Sequence, residues 1–450
     1  MASTYLTRTV ETATDNKKAT FSFWIKRGTV TNRQMFVRII NPSSTASYSY
    51  IEFDGTADTL TYDDYDGSST RITRSTSQVF RDTSAWYHIV ISVDTTQATG
   101  SDRAKVYVNG EQITSFASTS DATQNYVLTG QTSGKTFYIG AAGDVPGLYF
   151  DGSMAHVHFI DGTAYDADTF GETDSTTGIW KPKTAPSVTY GTNGFFLKFA
   201  SSGSMGTDSS GNSNTFTVNG TMTQTIDTPS NVFATLNPIH LSGTQHLTNL
   251  AFSNGNNTVT STNGGGYPFA FSTLGVSSGK YYAEFKTPTS TSSTMGISTG
   301  VGAGGFLGGG TNEYAIFYNG NFYNSGSGSS SGFDSWSDND ILGVAMDLDN
   351  NKIYFHKNGT YQNSGNPTAG TGGNSITAPS SNGTGVYHFA CGDAGSGTPS
   401  VQANFGNGYF GTTAVSSAQS PSDGIGLFEY SVPSGYKALC TKSINSQEYS

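Results

Sequence analysis

The chain is predicted to be all-β, with two sandwich units in tandem, and three observations carry that prediction. Two distant stretches, residues 105–110 and 352–359, read alike: alternating apolar and polar residues that end in Asn109-Gly110 and in Asn358-Gly359. Asn and Gly tolerate the positive φ of a two-residue turn, so each stretch enters a hairpin. Each follows a further apolar strand ending in an aspartate, residues 87–94 with Asp94 and residues 341–347 with Asp347. The third observation is composition: 12% of the residues are charged against a usual figure of about 25%, and 56 of 450 are glycine. Such a chain lacks material for charged helix faces, while its 13% aromatic residues supply packed cores and argue against disorder.

Two sandwiches of roughly 200–250 residues each account for the length. In the first, alternation puts Phe21, Phe23 and Ile25 on one strand face and Ser22 and Lys26 on the other. Further strands are expected at 48–54, 136–140 and 154–161, with one short helical turn at 166–170 capped by Asp166. Trp24, Trp86 and Trp180 are expected in the first core, as bulky aromatics usually are. The pattern thins after Pro182 and resumes at 194–199 and 215–218, which read as late strands of the same unit. Residues 227–238 contain Pro229 and Pro238 and no periodicity. The first domain is therefore placed at 1–226, a linker at 227–246 and the second domain at 247–450. Strands at 279–286, 314–318, 385–390 and 401–406 follow, interrupted by Gly- and Ser-rich loops at 300–310 and 325–332. No heptad pattern occurs, which excludes a coiled-coil shaft.

A net charge of −11 opposes binding to phosphate backbones, so nucleic acid is excluded as a partner. No 18 apolar residues run together and the first eight residues lack a signal peptide's apolar run. Neither membrane insertion nor export is expected. Cys391 and Cys440 are the only cysteines, too few for a disulfide framework or a four-cysteine metal site, and are read as two reduced thiols.

With the strands placed, the first half resembles the laminin-G-like, concanavalin A-like lectin domains of phage and marine viral structural proteins. The resemblance rests on residues 21–27, 79–90, 105–110 and 150–162, in that order, and the turn at 208–212 also recurs in such domains. The second half resembles SPRY domains, through residues 279–285, 336–349 and 353–359, and its ending at 432–439 is similar to the same viral proteins. The resemblance implies two concanavalin-like jelly-roll β-sandwiches in tandem. It also implies a nonenzymatic surface protein of a tailed-phage virion, a tail fibre, adhesin or capsid decoration assembled in the host cytoplasm. Other virion proteins and host surface glycans are then the implied partners, and by analogy with fibres the chain is expected to be a homo-oligomer.

Laminarinase-type glycoside hydrolases share this sandwich and carry Glu-x-Asp-x-x-Glu on one strand. Here Glu52-Phe53-Asp54 is followed by Gly55-Thr56-Ala57, so the proton donor of that pattern is missing and no catalytic residue is assigned. A polysaccharide depolymerase or glycosidase is the alternative function. The richest polar cluster is Tyr62, Asp63, Asp64, Tyr65 and Asp66 before Gly67, read as a loop. Carboxylates there suit sugar hydroxyls or calcium and tyrosine rings suit a sugar face, although an Asp-rich hairpin tip is also an ordinary solvated turn. In the second half Phe333, Asp334 and Trp336 lie beside a Ser- and Gly-rich loop and form the second ligand-binding candidate, with Trp336 also suited to a structural role. Asp208 and Asn212 are weak calcium candidates in a segment that also reads as an Asx turn, and His156 and His158 share a strand face without a third ligand nearby. No cofactor is expected otherwise.

Overall fold

The structure is a computed structural model that describes residues 4–41, 43–143, 145, 147–241, 249–262, 266–300, 305–329 and 332–448. Contacts divide the chain into two compact units, Met1–Gln224 and Thr225–Ser450, each built on two large, mainly antiparallel facing sheets with a small two-stranded sheet beside them.

In the first unit, one sheet has eight strands in the order Phe116–Ser120, Thr70–Val79, Thr59–Tyr65, Ser44–Phe53, Gln34–Asn41, Thr136–Ile139, Tyr5–Thr9 and Thr217–Asn219. The facing sheet has six, in the order Phe195–Leu197, Gly152–Asp161, Lys18–Arg27, Tyr87–Asp94, Ala104–Val108 and Glu111–Gln112. Phe21, Phe23 and Ile25 point into the core between them, as their alternation requires, and meet Phe53, Tyr62 and Phe137 from the other sheet. Phe21 lies 4.9 Å from Phe159 and 6.3 Å from Phe137, ring centre to ring centre.

The outer face of the six-stranded sheet is covered in turn. Val90 and Ile160 lie beneath Tyr165, Ala167, Phe170, Trp180 and Tyr190, so residues 165–190 form a third layer. Trp24, on the outer face of the six-stranded sheet, and Trp180, in this layer, both lie outside the core between the sheets: Trp24 stacks on His88 with ring centres 4.7 Å apart, and Trp180 lies 6.0 Å from the same imidazole. The expected helical turn is a short 3-10 turn, Ala167–Thr169, and Asp166 does not cap its backbone. The Asp166 carboxylate accepts the Thr169 hydroxyl at 3.2 Å instead.

In the second unit a seven-stranded sheet runs Leu236–Leu241, Phe269–Ser272, His388–Asp393, Ser293–Ser298, Glu313–Phe317, Phe322–Asn324 and Ser327–Ser329. The facing sheet is built on Lys280–Thr289, Ile341–Asp347 and Lys352–Lys357, flanked by Leu250–Ser253, Thr258–Ser261 and Ser400–Asn404. Phe285, Val344, Met346 and Phe355 pack against Met295, Ile297, Ile316 and Phe389. Residues 325–329 of the expected loop form part of a hairpin, and residues 301–304, 330 and 331 of the two glycine-rich loops lie outside the described residues.

The segment expected to be a linker is, where described, part of this second sandwich. Phe233, Ala234 and Leu236 are buried, and Leu236–Leu241 pairs with Phe269–Ser272. Pro238 is tolerated because this strand is the edge of its sheet, where a missing N–H breaks no ladder, and the register shifts between Leu236 and Leu241. Residues 242–246 lie outside the described residues, as do the first two residues of the second domain as drawn from sequence. A C-terminal α-helix, Thr441–Glu448, has no counterpart in the sequence reading. Cys391 and Cys440 are buried, unbridged thiols in separate apolar clusters.

The two hairpins that read alike are built alike. Asn109 and Asn358 adopt φ of 51° and 48°, followed by Gly110 and Gly359 at 90° and 84°. Each asparagine also clasps the start of the neighbouring strand. The Asn109 N–H donates to the His88 carbonyl at 2.9 Å while its Oδ1 accepts the His88 N–H at 2.8 Å. The Asn358 N–H donates to the Ile341 carbonyl at 2.8 Å while its Oδ1 accepts the Ile341 N–H at 2.9 Å.

Candidate functional site

Strand alternation splits the acidic and tyrosine cluster at 62–66 in two. These residues are not a loop, because Thr59–Tyr65 is a strand inside the eight-stranded sheet. Tyr62 faces the core. Asp64 is fully buried on the same side and accepts the Ser49 hydroxyl at 2.5 Å, the Tyr126 hydroxyl at 2.7 Å and the Thr129 N–H at 3.2 Å. Its oxygens are used to anchor the 3-10 turn Thr129–Gln131, so neither Tyr62 nor Asp64 can reach a ligand. Asp66 closes the turn: Oδ1 accepts the N–H groups of Ser68 and Ser69, and Oδ2 accepts Arg71 Nε. Those donors hold its carboxyl well below the usual range.

Asp63 and Tyr65 emerge on the outward face, where cross-strand register assembles a patch. One row runs Thr73, Asp63, Tyr50, Arg38, Tyr138, Thr7, each residue paired with the next. The adjacent row contains Tyr65, Tyr48, Ile40, Thr136 and Thr9. The Tyr48 ring lies 5.0 Å from Tyr65 and 5.7 Å from Tyr50, and the Arg38 guanidinium sits 4.6 Å from the Tyr48 ring centre. The Tyr50 hydroxyl donates to Asp63 Oδ2 at 2.6 Å, and burial beside Asp63 raises the Tyr50 hydroxyl above its ordinary range. Partial burial likewise raises Asp63 and Glu52. Tyr48, Tyr50 and Tyr65 remain half-exposed, so ring faces and hydrogen-bonding groups are presented together. On this face Arg38, Ile40 and Glu52 are buried while Tyr48, Tyr50 and Tyr65 are partly exposed, and the backbone of Gly143 bounds it beside the Tyr138 ring. A Cβ on Gly143 would come within 2.5 Å of that ring, at a φ of 77° that side chains rarely adopt.

The carboxylates of residues 52–54 do not form an acid pair. Glu52 accepts Arg33 Nε at 2.8 Å, while Asp54 caps its own turn through the N–H groups of Thr56 and Ala57. The calcium candidates do not fit a cation. Asp208 Oδ1 accepts the N–H groups of Phe196 and Ser210, and Oδ2 accepts the Ser210 hydroxyl and the Asn214 N–H, all at 2.8 Å. The Asn212 amide nitrogen donates to the carbonyls of Gly191 and Gly194. Among the described residues no three His, Cys, Asp or Glu side chains are grouped to hold a metal. His156 and His158 both stack on Phe196, and His158 Nδ1 is hydrogen-bonded to Tyr190 at 2.9 Å.

In the second unit Trp336 is buried and its indole N–H donates to Ser293 Oγ at 2.9 Å. Phe333 is half-buried between Phe322 and Phe355, at 6.1 and 5.7 Å. Of this trio Asp334 is exposed. Trp336 is a packing residue, whereas Phe333 keeps part of its ring exposed beside Asp334. The same unit buries a polar network: Glu284 accepts the Tyr282 hydroxyl at 2.9 Å and the N–H groups of Glu429 and Tyr430 at 2.8 Å, and Tyr282 is bonded to His356 Nε2 at 2.6 Å. It pins residues 429–430 across the sheet.

Arg38, Tyr48, Tyr50 and Tyr138 were not singled out from sequence. The signal for two of them was present, because Tyr48, Tyr50 and Glu52 alternate with the core-facing Ile51 and Phe53.

A laminin-G-like family described as the concanavalin A-like lectin/glucanases superfamily matches residues 2–168. No curated protein matches. Similar solved structures include the SPRY domain of human HERC1, 16% identical over 37% of this chain and 96% of that one, with a TM-score of 0.29. Domains LG4-5 of the mouse laminin alpha1 chain are 10% identical over 89% and 78%, TM-score 0.29. A native heptameric SAP-like pentraxin from Limulus polyphemus is 15% identical over 36% and 72%, TM-score 0.27. At these scores the three structures add no argument. The fold class, all-β with concanavalin-like sandwich architecture, stands on the sheets and the family match.

Proposed function

We propose that the chain is a nonenzymatic, lectin-like binding protein whose first unit takes uncharged glycan on the outward face of its eight-stranded sheet. The observation that carries this is the in-register patch of Tyr48, Tyr50, Tyr65, Arg38 and Asp63 on that face, inside the segment matched by a lectin-type family. Tyrosine faces stack on the apolar face of a pyranose and the tyrosine hydroxyls engage its hydroxyl groups, with buried Arg38 seated on the Tyr48 ring and Asp63 holding the Tyr50 hydroxyl. The Glu52–Arg33 pairing and the turn-capping role of Asp54 favour binding over hydrolysis.

The family resemblance of the sequence supports a finer setting, the surface of a tailed-phage virion, as tail fibre, adhesin or capsid decoration. In that setting the partners are host surface glycans and other virion proteins, and the chain works as a homo-oligomer. The test is a glycan array probed with the full chain, paired with an assay for sugar released from bacterial surface polysaccharide. Array binding without release supports the proposal; release of sugar overturns the nonenzymatic reading in favour of a depolymerase, and silence in both overturns glycan binding. Absence of the chain from purified particles would overturn the virion setting alone.

A further inference from the structure

Between the loops at residues 29–34 and 147–151 the first unit contains a pocket of about 180 Å³, lined by Thr29, Asn32, Arg33, Gln34, Tyr149 and Asp151 among others. Its lining is built of hydrogen-bonding groups. Gln34 is 1% exposed, and its amide nitrogen donates to the Thr29 carbonyl and hydroxyl at 3.3 and 2.6 Å. Its Oε1 is buried and has no hydrogen-bond partner. A buried acceptor left unpaired costs free energy, which a ligand hydroxyl would recover once the amide turns Oε1 into the pocket. Asp151 lines the same pocket, and the backbone ties it to the strand end, its carbonyl accepting the Gly28 N–H at 2.8 Å.

Two of the lining residues join this pocket to the tyrosine patch. Arg33 pairs with the outward-facing Glu52 and lies 6.0 Å from the Tyr50 ring centre. Tyr149 lies 6.2 Å from Tyr5, whose ring is 6.1 Å from Tyr138 in the central row. Pocket and patch are therefore neighbours on one surface.

Resting on the glycan reading above, we infer that this pocket holds the uncharged terminal sugar unit of an oligosaccharide whose following units lie along the tyrosine patch. The volume suits one sugar unit. The acceptors Gln34 Oε1 and the Asp151 carboxylate match hydroxyl donors. The Asp151 carboxylate also disfavours a sugar acid, because a second carboxylate beside it meets like charge, and the Arg33 guanidinium in the same lining is already paired with Glu52. Recognition is thus of chain ends rather than chain interiors.

The test titrates the full chain calorimetrically with laminarihexaose and isomaltohexaose, with laminarin and dextran at equal sugar mass, and with hexagalacturonate. One of the neutral hexamers is expected to bind at least about tenfold better, by mass, than its polymer, whose ends are few, and at least about tenfold better than hexagalacturonate. Gln34→Leu should bring the hexamer down to the polymer's level, whereas Tyr48→Ala should weaken both; thermal melts establish that each variant is folded. A second variant, Asp151→Asn, should narrow the gap between neutral hexamer and hexagalacturonate. Equal binding of hexamer and polymer by the wild type, or an unchanged ratio in folded Gln34→Leu, overturns end recognition while leaving the patch intact. Binding of none of these sugars overturns this inference, whereas only silence on the glycan array overturns the glycan reading on which it rests.

Discussion

The indole N–H of Trp180 donates to Nδ1 of His88 at 2.9 Å, and this one bond fixes the protonation state of a buried imidazole. Indole is only a donor, so Nδ1 is unprotonated and Nε2 carries the proton toward Ser22 Oγ, 2.9 Å away. Burial, with His156 nearby, pushes His88 down to about 3, which keeps the ring neutral. The pair fastens the third layer to the six-stranded sheet.

Trp180→Phe keeps the ring but leaves Nδ1 buried without a donor, and is expected to destabilise the first unit by about 1–3 kcal/mol. Urea denaturation of the full chain, followed by near-ultraviolet circular dichroism, measures it.

Acid should loosen the same region. Below the ordinary histidine range, near 6.5, an unfolded chain protonates His88 while the folded chain does not until about 3, so the folded state loses stability as pH falls through that window. The slope is at most about 1.4 kcal/mol per pH unit for this residue. His88→Gln should flatten the fall in midpoint between pH 6.5 and 4.

The second unit holds an opposed pair. Burial raises Glu284 to about 7, and the N–H groups of Glu429 and Tyr430 with the Tyr282 hydroxyl offset only part of that. A raised carboxyl favours folding at low pH, so its contribution is lost as pH rises from about 4.5 to 7. His356, pushed down to about 3 by burial, works in the other direction between 3 and 6.5. Glu284→Gln is expected to make the unit's stability rise more steeply with pH over that interval than in the wild type, read by thermal melts at half-unit steps.

Asp64→Asn should cost about 3 kcal/mol or more, because an amide nitrogen would replace an oxygen that accepts from Ser49, Tyr126 or Thr129. Hydrogen exchange at residues 126–131 reports it, since Asp64 anchors that segment. Asp66→Asn, at the exposed turn, should change stability by under about 1 kcal/mol.

Strand alternation and turn chemistry are local, and what depends on them was legible. Phe21, Phe23 and Ile25 face the core, and Asn109 and Asn358 make their hairpins. Burial of Asp64 depends on Tyr126 and Thr129, some sixty residues away, and without them an Asp-Asp run before Gly67 resembles a turn. The Asp63–Tyr50–Arg38 row is a property of cross-strand register, which no local pattern reveals. Pro238 reads as a breaker until the edge position of its strand is known. Trp336 is a conspicuous aromatic beside a glycine-rich loop, but Ser293 supplies its indole with a buried partner.

The central claim is tested most directly by a glycan array probed with the wild-type chain and with a Tyr48→Ala, Tyr65→Ala double variant. Both substitutions lie on the outward face and outside the core, so the variant should melt close to the wild type. The account predicts that the wild type binds uncharged glycans and that the double variant loses that signal at least about tenfold. An unchanged array signal from the folded double variant would contradict it, because the glycan would then be held somewhere other than this sheet face.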